Sequence, residues 1–221
     1  CLDGAVEILQ NSNPACPPGR YAAVVAGLAG RPARIAIGEA QTGLQLDLTW
    51  QGARALLGMP AAEIAGMSVD LNAVLGRRCA HLMEQLAEAP GWDARFALLD
   101  RALAALAADG PGLHGTPPEV RRAADLIQAS GGTSRITDLA RDVGWSRRHL
   151  TERFRIETGL GPKSMARVVR FERVCAWLRR PDRPPLAVAA AEGGYVDQAH
   201  LARDFRELAG LTATEWIAER S

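Results

Sequence analysis

The sequence predicts an α+β protein that is mostly α, and three observations carry that prediction. Leu44, Leu46 and Leu48 alternate with Gln45, Asp47 and Thr49, the period of a half-buried strand. From Trp50 onward the apolar residues recur at helical spacing instead. Leu150, Phe154, Gly159 and Leu160 then return as Leu201, Phe205, Gly210 and Leu211, each displaced by 51 residues. A short helix, a glycine and an aromatic (Trp145 or Tyr195) precede each set, so the second half reads as two helix-turn-helix units.

The domain organisation follows from these changes of pattern. Residues 1–109 form a β-containing N-terminal region with helices, residues 110–116 a linker, and residues 117–221 an all-α domain. The first fifteen or so residues read as irregular, with Asn13-Pro14 and Pro17-Pro18-Gly19 as loop. Strands are expected at Tyr21–Ala29, Arg34–Ile37 and, with the strictest alternation, Leu44–Leu48. Short helices follow at Gly52–Gly58, at Pro60–Ala65 with proline at its start, and at Asp70–Leu75. Longer ones span Arg77–Ala89 and Trp92–Ala108, the latter with Phe96, Leu99, Leu103 and Leu106 on one face. That face suits packing within its own domain or against a second copy. Asp109-Gly110-Pro111-Gly112 ends the helix.

Thr116-Pro117-Pro118-Glu119 has the form of a capping box with proline at the first helical position. The helix it starts turns Val120, Ala123, Ala124 and Ile127 inward and stops before Gly131-Gly132. Ile136–Val143 is a short helix with Leu139 and Ala140 inside, then comes a turn at Gly144. Ser146 caps a helix whose inner face is Leu150, Phe154 and the stem of Glu157. Pro162 opens a long linker helix to about Arg180, with Met165, Val168, Phe171, Val174, Cys175 and Leu178 inward. Leu186–Glu192, the Gly193-Gly194 turn and a helix capped by Asp197 follow, and Thr214–Ala218 closes the fold. The Asp197 helix keeps Leu201, Phe205 and Leu208 on one face and ends at Gly210.

Composition narrows the function classes. No apolar run approaches the roughly 18 residues of a membrane span, so no membrane role is expected. Cys1, Cys16, Cys79 and Cys175 form no CxxC pair, and Cys79 and His81 do not share a helix face. No metal, cofactor or disulfide is expected, and a reduced cytoplasmic setting fits best. The chain opens on Cys1 rather than Met, with no signal-peptide pattern, so residues upstream of it are expected. No Ser/His/Asp set, HExxH or phosphate-binding loop appears, and an enzyme is not expected.

Charge is distributed unevenly. Residues 1–115 hold 8 basic and 11 acidic side chains, residues 116–221 hold 18 and 14, so the second half carries +4. All its basic residues except Lys163 are arginine, the side chain suited to bidentate contact with phosphate and guanine.

These residues carry a resemblance. Residues from about 117 to 219 resemble the DNA-binding domain of AraC/XylS-type transcriptional regulators. The likeness rests on Gly194-Tyr-Val-Asp-Gln-Ala-His-Leu-Ala-Arg-Asp-Phe-Arg-Glu-Leu-Ala-Gly-Leu-Thr-Ala-Thr-Glu-Trp216. It is joined by Thr158-Gly-Leu-Gly-Pro162 and Arg170-Phe-Glu-Arg-Val-Cys-Ala-Trp-Leu178. Residues 43–108, around Gly52-Ala-Arg-Ala-Leu-Leu-Gly-Met-Pro60, resemble more weakly the sensor side of some of these regulators.

The resemblance implies a sequence-specific regulator whose two recognition helices enter successive major-groove segments, with the linker helix setting their separation. Its N-terminal region would sense an effector or dimerise. The family's base-facing positions map onto Arg147, Arg148, Thr151 and Glu152, and onto Gln198, Ala199, His200 and Arg203. Two of these depart from the pattern. Glu152 stands where Arg203 stands in the second unit, and either accepts from cytosine N4 or pairs with Arg148 or Arg155. Ala199 offers only methyl contact to thymine. Ser146, Arg153, Arg155, Lys163 and Arg206 are candidate phosphate contacts, with a solvated surface as the plainer assignment. The linker-helix arginines read as surface or packing residues, and Trp145, Phe154, Tyr195 and Phe205 as core or turn aromatics.

The implied partners are double-stranded DNA, RNA polymerase, a small-molecule effector of unknown identity and a second copy of the chain. Two other classes compete. A module acting through protein contacts would fail to shift DNA. An alkyl-transfer repair enzyme sharing this domain would need a four-cysteine zinc site, which the dispersed cysteines do not form.

Overall fold

A computed structural model gives the fold, and it describes residues 1–36, 41–112 and 114–219. The chain is α+β and mostly α. It folds as two bodies, one of Cys1–Leu28 with Ala33–Gly115, the other of Ala29–Pro32 with the residues from Thr116 onward.

The N-terminal body holds two small antiparallel sheets. Strand β1 (Val6–Gln10) is central in the first, between β2 (Gly19–Tyr21) and β4 (Arg34–Ile35). Val6 pairs with Tyr21, and Ile8 with both Gly19 and Ile35. Strand β3 (Val24–Ala26) pairs with β5 (Ser68–Asp70) in the second sheet. Buried Asn11 links the two, its amide donating to the Pro17 carbonyl at 2.8 Å and its oxygen accepting from the Ser68 N–H at 2.8 Å.

This arrangement corrects the expected strands. The stretch Tyr21–Ala29 bends at Ala22 and Ala23 and feeds two different sheets. Leu44–Leu48 forms no strand: it has no ladder partner among the described residues, and Leu46 and Leu48 are exposed. Alternation alone cannot supply the neighbouring backbone that a strand needs. Strand β1, by contrast, lies in the part read as irregular, since only Ile8 of its residues is buried. Of the expected strand at Arg34–Ile37, Ile37 lies outside the described residues.

The helices of this body follow the sequence closely. They are α1 (Trp50–Leu57), a 3-10 turn at Ala61–Ile64, α2 (Leu71–Leu75), α3 (Arg77–Glu88) and α4 (Trp92–Asp109). Thr49 and Asp70 cap α1 and α2 through their side chains. Cys79 and Leu86 of α3 and Leu99 of α4 are buried, α3 packs on α4, and burial pushes the Cys79 thiol above its ordinary pKa. On α4 only Leu99 is buried, whereas Phe96 is 52% exposed. No described helix is long and apolar enough to cross a membrane.

The C-terminal body is all helical: α5 (Pro118–Ala129), α6 (Ile136–Asp142), α7 (Arg147–Thr158), α8 (Pro162–Leu178), α9 (Leu186–Glu192), α10 (Gln198–Asp204) and α11 (Ala213–Ala218). The helix after the linker starts differently from expectation. Thr116 makes no cap; it is buried and donates its hydroxyl to the Glu157 carboxylate at 3.4 Å, so α5 starts at Pro118. On α8 the inner stripe runs through Val169, with Val168 left half-exposed. Between α10 and Gly210 the chain widens into one π-helical segment, Phe205–Ala209.

The 51-residue repeat extends through the whole core. Val120, Ala123, Ala124 and Ile127 of α5 correspond to Phe171, Val174, Cys175 and Leu178 of α8, and all eight are buried. Pro162 and Ala213 both take the first position of their helix, and Met165 corresponds to Trp216. Helix α8 therefore serves twice. Its N-terminal half closes the first unit and its C-terminal half opens the second, packing against Leu201, Phe205 and Trp216. Burying each such aromatic contributes about 1.5–3 kcal/mol.

Candidate nucleic-acid interface

Helices α7 and α10 occupy equivalent places in the two units. Ser146 and Asp197, 51 residues apart, are their N-caps, accepting from the N–H groups of His149 at 3.2 Å and His200 at 2.6 Å. Leu150 and Phe154 anchor α7 from below, and Leu201 and Phe205 anchor the second helix. Both helices end on a left-handed glycine, Gly159 at φ 81° and Gly210 at φ 75°.

That anchoring leaves one face of each helix in solvent. Arg147, Arg148 and Glu152 are exposed on α7, while Thr151 is half-exposed and donates its hydroxyl to the Arg147 carbonyl at 2.8 Å. On α10, Gln198, Ala199 and Arg203 are exposed and His200 is half-buried. Of the candidate phosphate contacts, Ser146, Arg155, Lys163 and Arg206 are exposed and Arg153 is partly so. Arg206 lies close enough to Glu215 to help lower its pKa.

The arginines divide into two classes. Among the described residues, no ion pair or hydrogen bond takes up the side chains of Arg147, Arg148, Arg153, Arg155 or Arg203. Those of α8 and its end are engaged: Arg167 with Asp204 and Glu207, Arg170 over Tyr195, Arg173 over Trp177, Arg179 over Trp216 and Arg180 with Asp182. Glu152 likewise makes no ion pair with Arg148 or Arg155, so the intrahelical pairing does not form. Its carboxylate is free to accept from a base edge and opposes a nearby phosphate.

Two features escaped the sequence. His149 packs edge-on against Trp145 with ring centroids 4.5 Å apart, as His200 does against Tyr195 at 5.1 Å. The histidines are 51 residues apart, a correspondence visible in the sequence once the repeat is extended by one position. The turn before α10 is also one residue longer than the turn before α7, and the added residue, Val196, is 88% exposed. Comparing Gly144–Ser146 with Gly194–Asp197 would have found it.

Residues 139–219 match the model of a helix-turn-helix domain family. The C-terminal body carries an AraC-type helix-turn-helix domain. A domain of this type supports DNA-binding transcriptional regulation. Solved structures with a similar fold include the C-terminal domain of AraT, a response regulator from Geobacillus stearothermophilus, at 21% identity and TM-score 0.45, covering 48% of this chain and 88% of that one. Another is a transcriptional regulator from Chromobacterium violaceum with an AraC-type DNA-binding domain, at 24% identity and TM-score 0.43, covering 47% and 93%. ToxT from Vibrio cholerae is 10% identical, with TM-score 0.45 and coverage of 65% and 55%. No curated protein matches the chain.

Proposed function

We propose that this protein regulates transcription by placing α7 and α10 in two successive major-groove segments on one face of double-stranded DNA, acting by binding rather than catalysis. The observation that carries this reading is the shared helix α8 beneath two recognition helices whose outward arginines Arg147, Arg148 and Arg203 have no ion pair or hydrogen bond among the described residues. At 17 residues α8 is about 25 Å long. A single rigid helix within both cores suits heads spaced about 34 Å apart, one turn of duplex. Arg147, Arg148, Thr151, Glu152, Gln198, Ala199, His200 and Arg203 then meet base edges. Ser146, Arg153, Arg155, Lys163 and Arg206 meet phosphates. His200 keeps its ring against Tyr195 in a T-shaped contact.

In this proposal residues 1–109 sense an effector or hold a second copy of the chain, and RNA polymerase is a further partner. Dimerisation has a specific observation in its favour. Trp92 and Phe96 on α4 form an exposed ring pair, 6.0 Å between centroids, with exposures of 44% and 52%. Sedimentation of wild type against Phe96→Ser tests it: a dimer that dissociates in the variant supports the pairing, and a monomeric wild type rejects it.

Selection of duplexes from a random pool by the full chain, followed by a mobility shift, tests the DNA reading. A recurrent bipartite sequence is expected. Binding equally strong to every duplex, or none, would reject it.

A further inference from the structure

The two recognition helices are held by different polar chemistry. In the second unit Asp204, 2% exposed at the last position of α10, receives Arg167 from α8 at 2.7 Å and the Tyr195 hydroxyl at 3.0 Å. Arg167 also reaches Glu207 in the π-helical segment, and Arg170 lies over the Tyr195 ring at 4.9 Å. One carboxylate thus ties the turn before α10, the end of α10 and the middle of the linker helix. The backbone leaves α-helical geometry at the very next residue, Phe205.

The first unit has no such clamp. At the positions corresponding to Arg167, Tyr195, Asp204 and Glu207 it holds Thr116, Trp145, Arg153 and Ile156. Helix α7 runs regularly through all 12 of its residues, with Thr116 and Glu157 as its buried polar contact. Burial works against the charge on Arg167, but its bonds to Asp204 and Glu207 outweigh that and raise its pKa. A buried ion pair is a poor source of net stability, since apolar residues of similar volume often replace one without loss. What it does supply is direction, because a carboxylate with two fixed donors admits only one orientation of the helix that bears it.

We propose that Asp204, gripped by Arg167 and Tyr195, is a positioning residue that fixes the orientation of α10 so that Arg203 and Gln198 reach base edges. This rests on the DNA-reading proposal above. The second head is then orientationally locked by a clamp that has no counterpart at the corresponding positions of the first, and sequence discrimination in the second segment depends on it.

The test uses the full chain and a duplex selected by the wild type from a random pool. Discrimination is the ratio of affinities for that duplex and for one with a single segment scrambled. The second segment is the one whose ratio falls in Arg203→Ala. Two variants are compared: the apolar replacement Arg167→Met with Asp204→Leu, and Tyr195→Phe alone, which removes one hydroxyl from the clamp. The expected result is a melting temperature close to wild type with a fall of about tenfold in second-segment discrimination for the double variant. Tyr195→Phe should fall by about threefold, and first-segment discrimination should not change in either. A merely structural role would leave both ratios untouched in a folded variant, and that result overturns the proposal. Equal loss at both segments also overturns it. Should the double variant not fold, Tyr195→Phe decides by the same ratios. A wild type that selects no sequence fails the DNA reading itself, which is a distinct outcome.

Discussion

Phe154 and Phe205 stand 51 residues apart and occupy the same point of their units, each fully shielded from solvent. Phe205 meets Phe171 edge-on at 4.8 Å and Trp216 at 5.7 Å between ring centroids. Truncating either phenylalanine removes the anchor of a recognition helix. Phe154→Ala and Phe205→Ala should each cost about 3–5 kcal/mol in denaturant unfolding. A loss below about 1 kcal/mol at either position would mean that its helix is held by something else.

The turn after α5 makes a sharper steric prediction. Gly132 has φ 77°, and a Cβ there would lie 2.0 Å from the Ala166 carbonyl oxygen on α8. Gly144 has a similar φ of 72° but open space around it. Gly144→Ala should cost only the left-handed backbone penalty, about 1–2 kcal/mol. Gly132→Ala should cost roughly 3 kcal/mol or more, because α5 must also move away from α8. Thermal melts of the two variants check the order, and equal losses would contradict the close approach.

The division of arginines predicts two kinds of DNA phenotype. Arg203→Ala should weaken binding to the cognate duplex by about 1–3 kcal/mol and relax the sequence preference at one position. Arg153→Ala should instead weaken cognate and random duplex alike and lower the salt slope by about one. Titrations at several salt concentrations separate them. Uniform weakening by Arg203→Ala would remove it from base reading.

A pH dependence follows from the cap of α11. Glu215 and Thr212 form a reciprocal capping box, and Glu215 accepts from the Thr212 N–H at 2.7 Å. That backbone bond, with the Thr212 hydroxyl and Arg206 assisting, lowers the Glu215 pKa from its ordinary 4.5. A carboxylate whose pKa is depressed by folding stabilises the protein above its unfolded pKa and loses that contribution as pH falls through the folded value. The stability difference between wild type and Glu215→Gln should be level above about pH 5 and shrink below it. Unfolding curves from pH 7 to 3 check this, and a gap that widens in acid would contradict it.

Much of the fold was legible because its determinants are local. The caps at Ser146 and Asp197, the glycine stops and the period of α8 are all written within a few neighbouring residues. The repeat was legible for the same reason, as Leu150, Phe154 and Gly159 recur in order. The failures are non-local. Thr116 has the sequence of a cap, but its hydroxyl is used by Glu157, 41 residues away. Leu44–Leu48 alternates without a strand to pair with, and β1 pairs well with little apolar signal of its own. Arg167 and Asp204 are 37 residues apart, and no periodicity links a charge on one helix to a charge on another. The π-helical segment likewise has no residue signature in Phe205–Ala209.

Hydroxyl-radical footprinting of the full chain on its selected duplex tests the two-headed reading most directly. The account predicts two protected patches on one face of the duplex, about 10 base pairs apart centre to centre. Arg203→Ala should weaken only one of them. A single patch, or two patches that weaken together in Arg203→Ala, would contradict it.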